Sequence, residues 1–564
     1  MFIPVTPEEV ANRGWDELDI ILVSGDTYAD TSYNGSAVIG QWLIDNGFRA
    51  GMIAQPDVTS DKDITRLGEP LLFWSVSAGC VDSMVANYSA TRKRRKDDDF
   101  TPGGVNDRRP DRACIAYTNL IRKHFKGARV VLGGIEASLR RIAHYDMWSD
   151  GVRRSVLFDS KADIITYGMS ELSNLELANA LKNGTEWKDI RGICYVSGER
   201  KNGYLEMPSF DVCSVDNNGF INAFKMFHDN CDPLTAKGLM QGHGDRYLIH
   251  NPPSHHLSRE TLDRIYELDY ENKVHPYYLK DGTVRSMETI KQSVTTHRGC
   301  YGECNFCAVS VHQGRTVISR SADSILREVK RMTSKKGFNG IIYDVGGPTA
   351  NMYMMDCLKK SQVGSCKDKR CIHPKICERL SLNHEEQVRL LENIKNTDGV
   401  KKVFITSGVR YDLILSDKRN GKAYLDHLVK ENISGQLKIA PEHTSEDVTK
   451  LMGKPGKREL SEFKKMFDAS NKEHDKKQFL TYYLMAAHPG CYEHHMEELR
   501  RFVTTELKTN PEQVQIFTPT PSTFSTMMYH TRRDIGNTKN LKVEKSMQMK
   551  QKQKDIILDC KKQV

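Results

Sequence analysis

The pattern of apolar and polar positions divides the chain into two alternating stretches separated by a less regular one. In the first 200 residues, short apolar runs closed by glycine or other small residues alternate with helical stretches. The runs 19–24 (DIILVS), 49–54, 71–76, 130–132 and 164–167 predict strands, and 36–46 predicts a helix. Strand, turn and helix in that order are the grammar of a mostly parallel, Rossmann-like α/β sheet. Gly133-Gly134-Ile135-Glu136-Ala137-Ser138 falls where a strand gives way to a helix. Helix-end amides can hold a phosphate, but without a full phosphate-loop pattern the expected element is a tight turn. Residues 201–290 include Asn251-Pro252-Pro253 and His275-Pro276. Proline interrupts regular structure, so this stretch predicts a linking segment packed between domains.

The alternation resumes at 291. Strands are predicted at 293–296, 340–344, 402–406, 436–439, 479–485 and 514–517. Helices are predicted at 321–332, with Ser321 as cap, and at 384–394, 423–431, 459–470 and 493–507. Six strands with intervening helices predict a partial (β/α)6 TIM-type barrel over 291–523, with its chemistry at the C-terminal ends of the strands. Residues 524–564 form a short C-terminal extension. Beyond 537 it is rich in Lys and Gln and lacks an apolar stripe, which predicts a solvated helix or a frayed end.

Composition narrows the class. A chain of 564 residues exceeds one core, and 38% hydrophobic with 27% charged residues is a folded composition. The first ten residues lack a basic segment followed by an apolar one, and no apolar run approaches spanning length. The expected compartment is the cytoplasm, without membrane contact. A net charge of +9 is mild for this length, and the basic run 92–96 is followed at once by Asp97, Asp98 and Asp99. That run predicts a solvated loop, and nucleic acid is not indicated.

Fourteen cysteines are many for a reducing compartment, and seven of them fall between Cys300 and Cys377. Cys300, Cys304 and Cys307 have the spacing C-x3-C-x2-C directly after the first predicted barrel strand. Three thiolates on one loop can hold three irons of a [4Fe-4S] cubane and leave the fourth iron open, as a catalytic metal requires. The alternative is structural zinc with His297 or His312 as fourth ligand. Spacing leaves both open, and the position after the first strand favours the cluster. Cys357, Cys366, Cys371 and Cys377, with His373 among them, form a second group that could hold an auxiliary Fe-S cluster or Zn. Cys80, Cys114, Cys194, Cys213, Cys231, Cys491 and Cys560 are scattered and expected to be unligated.

Further motifs accompany the cysteine loop. They include Arg109-Pro-Asp-Arg112, Gly133-Gly-Ile-Glu-Ala-Ser-Leu-Arg-Arg141 with His144-Tyr-Asp146, and His297-Arg-Gly-Cys300. Others are His312-Gln-Gly-Arg315, Asp344-Val-Gly-Gly-Pro-Thr-Ala-Asn-Met-Tyr353, Ser407-Gly-Val-Arg-Tyr-Asp412, Ala440-Pro-Glu-His443 and Phe517-Thr-Pro-Thr-Pro521. In combination, over nearly the whole chain, they resemble the YgiQ-type radical S-adenosylmethionine (SAM) proteins. That resemblance implies reductive cleavage of SAM to a 5′-deoxyadenosyl radical acting on an unidentified substrate, with an electron donor of flavodoxin or ferredoxin type. It further implies Phe306 and Thr518 at the adenine, Gly346 and Gly347 at the SAM amino group, Ser407 and Arg410 at its carboxylate or ribose, and Glu442 at the ribose hydroxyls. The N-terminal domain resembles the cobalamin-binding domain of radical SAM methyltransferases. The usual Asp-x-His-x-x-Gly motif is missing and no histidine precedes His124, so cobalamin is not expected. A cobalamin-assisted methyltransferase and a non-catalytic, zinc-stabilised nucleic-acid-binding protein are the rival readings.

Overall fold

Ile20, Ile21, Leu22 and Val23 are apolar on both faces, and the fold buries all four. This strand, β1 (Ile20–Ser24), lies in parallel between β2 (Ala50–Ala54) and β3 (Phe73–Ser77). β4 (Val130–Gly133) and β5 (Ile164–Thr166) continue the parallel run. The order β2-β1-β3-β4-β5 is doubly wound, with its switch point between β1 and β3. β6 (Ile193–Ser197), β7 (Leu205–Met207), β8 (Leu239–His243) and β9 (Arg246–His250) complete a nine-stranded sheet, β7-β8-β9-β6-β5-β4-β3-β1-β2. The structure is a computed structural model describing residues 1–558, so Cys560 lies outside the described residues.

The chain divides into two units, Met1–Leu257 with Arg264–Lys291, and Ser258–Asp263 with Gln292 onward. Residues 201–290 are therefore not a linking segment. They supply β7, β8 and β9, and Lys273–Val274 pairs with Ala29–Asp30 of the same unit. Tyr278 and Val284 pack with Ile3, Tyr28 and Met52. The prolines misled because they sit at the ends of these elements, where a missing N–H costs nothing.

Buried ion pairs tie the loops beyond the parallel strands. At the switch point Arg109 Nη1 is 2.7 Å from Asp26 and Nη2 is 3.0 Å from Asp98, all three buried. Asp98 is thus withdrawn from the solvated loop predicted for its neighbours; residues 92–96 themselves are exposed. Arg140 joins Asp82 (2.8 Å) to Asp146 (2.9 Å), and Arg112 joins Asp146 at 2.8 Å. Glu136 accepts the Ser83 and Cys114 N–H groups at 2.8 and 3.1 Å, so the Gly133–Ser138 motif is a strand-to-helix turn held by its own carboxylate.

In the second unit, β10 (Ser293–Thr295), β11 (Ile341–Ile342), β12 (Asp344–Gly346) and β13 (Lys402–Val403) begin the barrel. β10 pairs in parallel with β12, and β11 with β13; Tyr343 interrupts what is one strand position, β11–β12. Val409 bridges in parallel to Ile439 of β14 (Gln436–Glu442), which continues through β15 (Phe479–Ala486) to β16 (Gln513–Ile516). Burial alternates along β14 and the first half of β15, as expected where one face meets helices and the other a lumen. Helices Ala322–Thr333, Glu385–Lys395, Lys457–Glu473 and Glu493–Phe502 lie between successive strands. Ser321 caps the first of them, accepting the Ser324 N–H at 3.1 Å. Six parallel strand positions in chain order make a partial (β/α)6 TIM-type barrel. Among the described residues no ladder returns from β16 to β10.

The C-terminal extension is neither solvated nor frayed over its described part. Helix Phe524–Thr531 buries Met527 and Met528, and helix Met547–Leu558 buries Lys550, Gln553 and Ile557. Lys550 donates to the Tyr529 hydroxyl (2.9 Å) and Gln553 accepts the Ala487 N–H (3.0 Å). A lysine and a glutamine on the buried face hid that face from a hydropathy reading.

Candidate active site

The cysteine loop leaves β10 through a short antiparallel ladder, His297–Arg298 with Ile318–Ser319. Gly299 has φ +80°, and a Cβ there would sit 2.0 Å from the Thr316 carbonyl oxygen, so only glycine lets the loop turn back on itself. Cys300 Sγ lies 3.4 Å from Thr349 Oγ1 and accepts the Gly302 N–H at 3.3 Å. Arg410 Nη1 lies 3.6 Å from Cys304 Sγ. Burial raises the pKa of the Cys300 thiol and pushes that of Cys307 up to about 12. Arg410 acts on Cys300 and Lys454 on Cys307 in the opposite direction without outweighing burial, so without a metal the loop favours neutral thiols.

Cations nevertheless gather around the loop. Glu303, inside the loop, meets Arg315 at 3.5 Å and Lys360 at 3.8 Å, and its carbonyl accepts from Arg370 at 2.9 Å. Lys360 lies over the Tyr301 ring and Lys454 over the Phe306 ring. Arg410 is gripped by Asp412 at 2.8 and 2.5 Å, and Lys454 is 3.6 Å from Glu442. Burial opposes the Arg410 charge, yet Asp412 with the thiols of Cys304 and Cys300 outweighs it and holds its pKa above the ordinary value. Five cations (Arg315, Lys360, Arg370, Arg410, Lys454) thus face three carboxylates (Glu303, Asp412, Glu442). These cations offset part of the cost of thiolates in the loop.

The zinc alternative asks for ligands converging on one ion, with sulfurs about 2.3 Å from it. Among the described residues the only His/Cys/Asp/Glu trio with ligand atoms all within 4.8 Å of one another is Asp426, Glu473 and His474. Lys422 already sits 2.5 Å from Asp426 and 3.1 Å from Glu473. Neither His297 nor His312 closes such a trio with Cys300, Cys304 and Cys307. A cubane spreads its three thiolates over three irons and makes no such demand.

The positions expected around SAM divide into two sets. Gly346 and Gly347 end β12 beside the cysteine loop. A Cβ on Gly347 would lie 2.7 Å from the His297 ring and 2.8 Å from its carbonyl oxygen, so the backbone approach there depends on glycine. Phe306 and Glu442 flank Lys454. Ser407, by contrast, is turned onto Asp344: its N–H donates at 2.9 Å and its hydroxyl donates to the same carboxylate. Arg410, held by Asp412, faces Cys304. Thr518 lies just after β16, where its carbonyl accepts from Thr520 (3.2 Å). Sequence reasoning missed Thr349, Glu303 and Lys454. The first two lie within motifs already singled out, whereas nothing in its local pattern marks Lys454.

The second cysteine group packs behind the first. Cys357 is buried with Tyr301, Ile372 and Leu380, and Cys300 and Cys371 border the same cluster. Lys359 donates to Cys366 (3.3 Å) and Lys360 to Cys371 (3.7 Å). Burial pushes the Cys371 thiol up to about 11. The four sulfurs do not converge on one point as a closed zinc site would require.

A barrel of this kind, with a three-cysteine loop after its first strand, defines the radical SAM class. The family described as Radical SAM N-terminal matches residues 2–293, and the Radical SAM superfamily matches 294–503. A UPF0313 protein of Fusobacterium nucleatum is 58% identical over 100% of this chain and 99% of its own length. One from Thermotoga petrophila is 46% identical over 100% and 99%. The chain belongs to the UPF0313, or YgiQ-type, family of radical SAM proteins. Membership implies an enzyme that uses a [4Fe-4S] cluster and SAM, without specifying a substrate. Among solved structures it resembles the radical SAM methyltransferase TsrM from Kitasatospora setae (TM-score 0.50, 12% identity, 90% of this chain and 75% of that one). Another TsrM structure, with cobalamin and a [4Fe-4S] cluster bound, also gives TM-score 0.50 at 12% identity. The shared fold does not support the expectation against cobalamin, which rested on the missing histidine motif. In this chain Arg109 and its two aspartates occupy the switch point. Among the described residues no helix is long and apolar enough to cross a membrane.

Proposed function

We propose that Cys300, Cys304 and Cys307 hold the [4Fe-4S] cluster of an enzyme that cleaves SAM reductively and acts on a substrate not yet identified. When bound, the cluster passes one electron to SAM and supplies a 5′-deoxyadenosyl radical for hydrogen abstraction. The observation that carries the reading is the charge around the cysteine loop. The cations beside the loop favour thiolate over thiol and offset part of the burial that opposes it, so that thiolates bound to a metal can be held there. The chain's own groups then have distinct tasks. Gly346 and Gly347 offer backbone to the SAM amino group, with Phe306 and Thr518 on the adenine side and Glu442 at the ribose. Ser407 fixes Asp344, and Arg410 acts on Cys304 rather than on the SAM carboxylate, because Asp412 already saturates its fork. A cytoplasmic, reducing setting fits the described cysteines, all of which are free.

The test is anaerobic reconstitution of the full chain, followed by iron analysis, EPR of the reduced cluster and assay of 5′-deoxyadenosine. The wild type is expected to give about four irons and SAM cleavage, and Cys304→Ala to lose both. Retention of both by Cys304→Ala would sink the assignment. Corrinoid content after growth with cobalamin decides whether the N-terminal sheet also carries that cofactor.

A further inference from the structure

Arg410 faces Cys304 from the start of a short helix whose two ends are tied into one buried polar chain. Arg410 stands immediately before helix Tyr411–Ser416, and Asp417 immediately after it. Asn351, in the loop after β12, holds the start. Its Oδ1 accepts the Arg410 N–H at 2.7 Å, and its Nδ2 donates to the Arg410 carbonyl at 3.0 Å. His384 joins Asn351 to the other end, with Nε2 3.1 Å from Asn351 Nδ2 and Nδ1 2.8 Å from Asp417 Oδ2. All three side chains are buried.

The contacts fix where the hydrogens lie. Arg410 presents both its N–H and its carbonyl to one amide, so the Asn351 amide has a single orientation. Its NH2 group faces His384 Nε2, which must accept; the ring hydrogen then sits on Nδ1 and is donated to Asp417. Asp417 also accepts the backbone N–H groups of His384 at 3.0 Å and Asn420 at 2.9 Å. Tyr424 stacks on the His384 ring, with centroids 4.5 Å apart. The Ala350 N–H donates to the Gly408 carbonyl at 3.0 Å and ties the same two loops. A satisfied buried network of this kind holds one geometry. The helix itself is already seated by buried Tyr411, Leu413 and Ile414. What the polar chain adds is a grip on the peptide groups of Arg410.

We propose that Asn351, His384 and Asp417 are positioning residues that hold the Arg410 backbone so that its guanidinium stays against Cys304. The inference rests on the cluster assignment above and adds three residues that act on the cluster through Arg410. A charge effect falls with distance. A guanidinium that drifted to twice its 3.6 Å from Cys304 would lose about half of its effect there.

The experiment is a double-variant cycle on the reconstituted full chain, read by EPR-monitored redox titration after iron analysis. Arg410→Gln is introduced into the wild type and into Asn351→Ala, and the two shifts in cluster potential are compared. Once Arg410 is released, its removal should matter less. The shift in the Asn351→Ala background should be about half of the wild-type shift, or smaller. His384→Gln, two links from Arg410, should reduce the shift in the same direction. It serves as the second background should Asn351→Ala fail to take up iron. A residue that only supports the fold would lower thermal stability and leave the Arg410→Gln shift intact. Equal shifts in the wild type and in an iron-loaded variant therefore overturn the proposal. So does a wild-type shift indistinguishable from zero, since Arg410 then does not act on Cys304. A wild type that takes up no iron removes the cluster assignment, and this proposal with it; the iron analysis tells that failure from the other two.

Discussion

Arg410 offers the sharpest test of what the chain does to its cluster. Its Nη1 is 3.6 Å from Cys304 Sγ, and Asp412 grips the same guanidinium at 2.8 and 2.5 Å. Two unit charges 3.6 Å apart are worth about 5 kcal/mol at an effective dielectric of 20. Asp412 stands on the far side of the guanidinium and cancels roughly half of that. The electron added on reduction spreads beyond one sulfur, so about 1 kcal/mol is left acting on it. For a one-electron couple that converts to ~40 mV, from 59 mV per tenfold change. The sign follows from the charges. Arg410→Gln removes a positive charge, makes reduction harder and lowers the potential. Asp412→Asn exposes that charge and raises it. The double variant removes the pair together and should return near the wild type, with less damage than either single change, since a lone buried charge costs about 3–5 kcal/mol. An EPR-monitored redox titration of the three reconstituted variants reads all of this, with iron content checked first. Potentials unchanged within ~10 mV, or single variants moving in the same direction, would refute the reasoning.

Two further expectations concern stability. Burial pushes His488 down to about 3, and an unfolded histidine titrates near 6.5. The stabilisation is therefore full above pH ~6.5 and is lost as pH falls toward 3, because the unfolded chain takes up a proton that the native one refuses. His488→Gln should remove up to about 1.4 kcal/mol per pH unit from the slope of unfolding free energy between pH 6 and 4. Urea titrations at several pH values check this, and parallel slopes would contradict it. Ile557 is fully buried in the last described helix. Ile557→Ala should cost about 2–4 kcal/mol in urea unfolding, whereas a loss near zero would mean that the helix is not docked.

Elements with one strong period were legible. The strands predicted near residues 20, 50, 130, 164, 293, 436, 479 and 514 form where expected, because apolar runs between turns have few other ways to be buried. Residues 201–290 were not legible. Their strands are short, two of them run antiparallel, and Met240, Leu248 and Ile249 become core only once β6 is beside them. At the site, cysteine spacing singled out the loop proposed to hold the cluster, but the partners of Ser407 and Arg410 were out of reach. Asp344 lies 63 residues from Ser407 in sequence, and only the pairing of adjacent barrel strands brings them together. Lys454 shows the same limit: its contact with Phe306 joins the segment after β14 to the loop after β10.

The motifs that resemble the family are dense, yet many of them hold structure rather than touch substrate. Arg109, Arg112, Glu136, Arg140 and Asp146 account for the N-terminal signatures, and all five are spent on buried ion pairs or backbone amides at the strand ends. Breaking any of these pairs leaves an uncompensated buried charge, so selection on folding alone would retain them. Asp344, Arg410 and Asp412 are likewise occupied with one another's neighbours or with Cys304. The shared motifs therefore describe how the strand ends and the cysteine loop are held, and they cannot rank substrates. The substrate should instead be sought against groups at the strand ends that carry none of these duties. His443, buried at the end of β14, is not among them. Its Nδ1 is occupied by the Thr444 and Ser445 N–H groups at 2.9 and 3.0 Å, which leaves Nε2 pointing to Cys491 at 3.8 Å, just beyond β14 and β15.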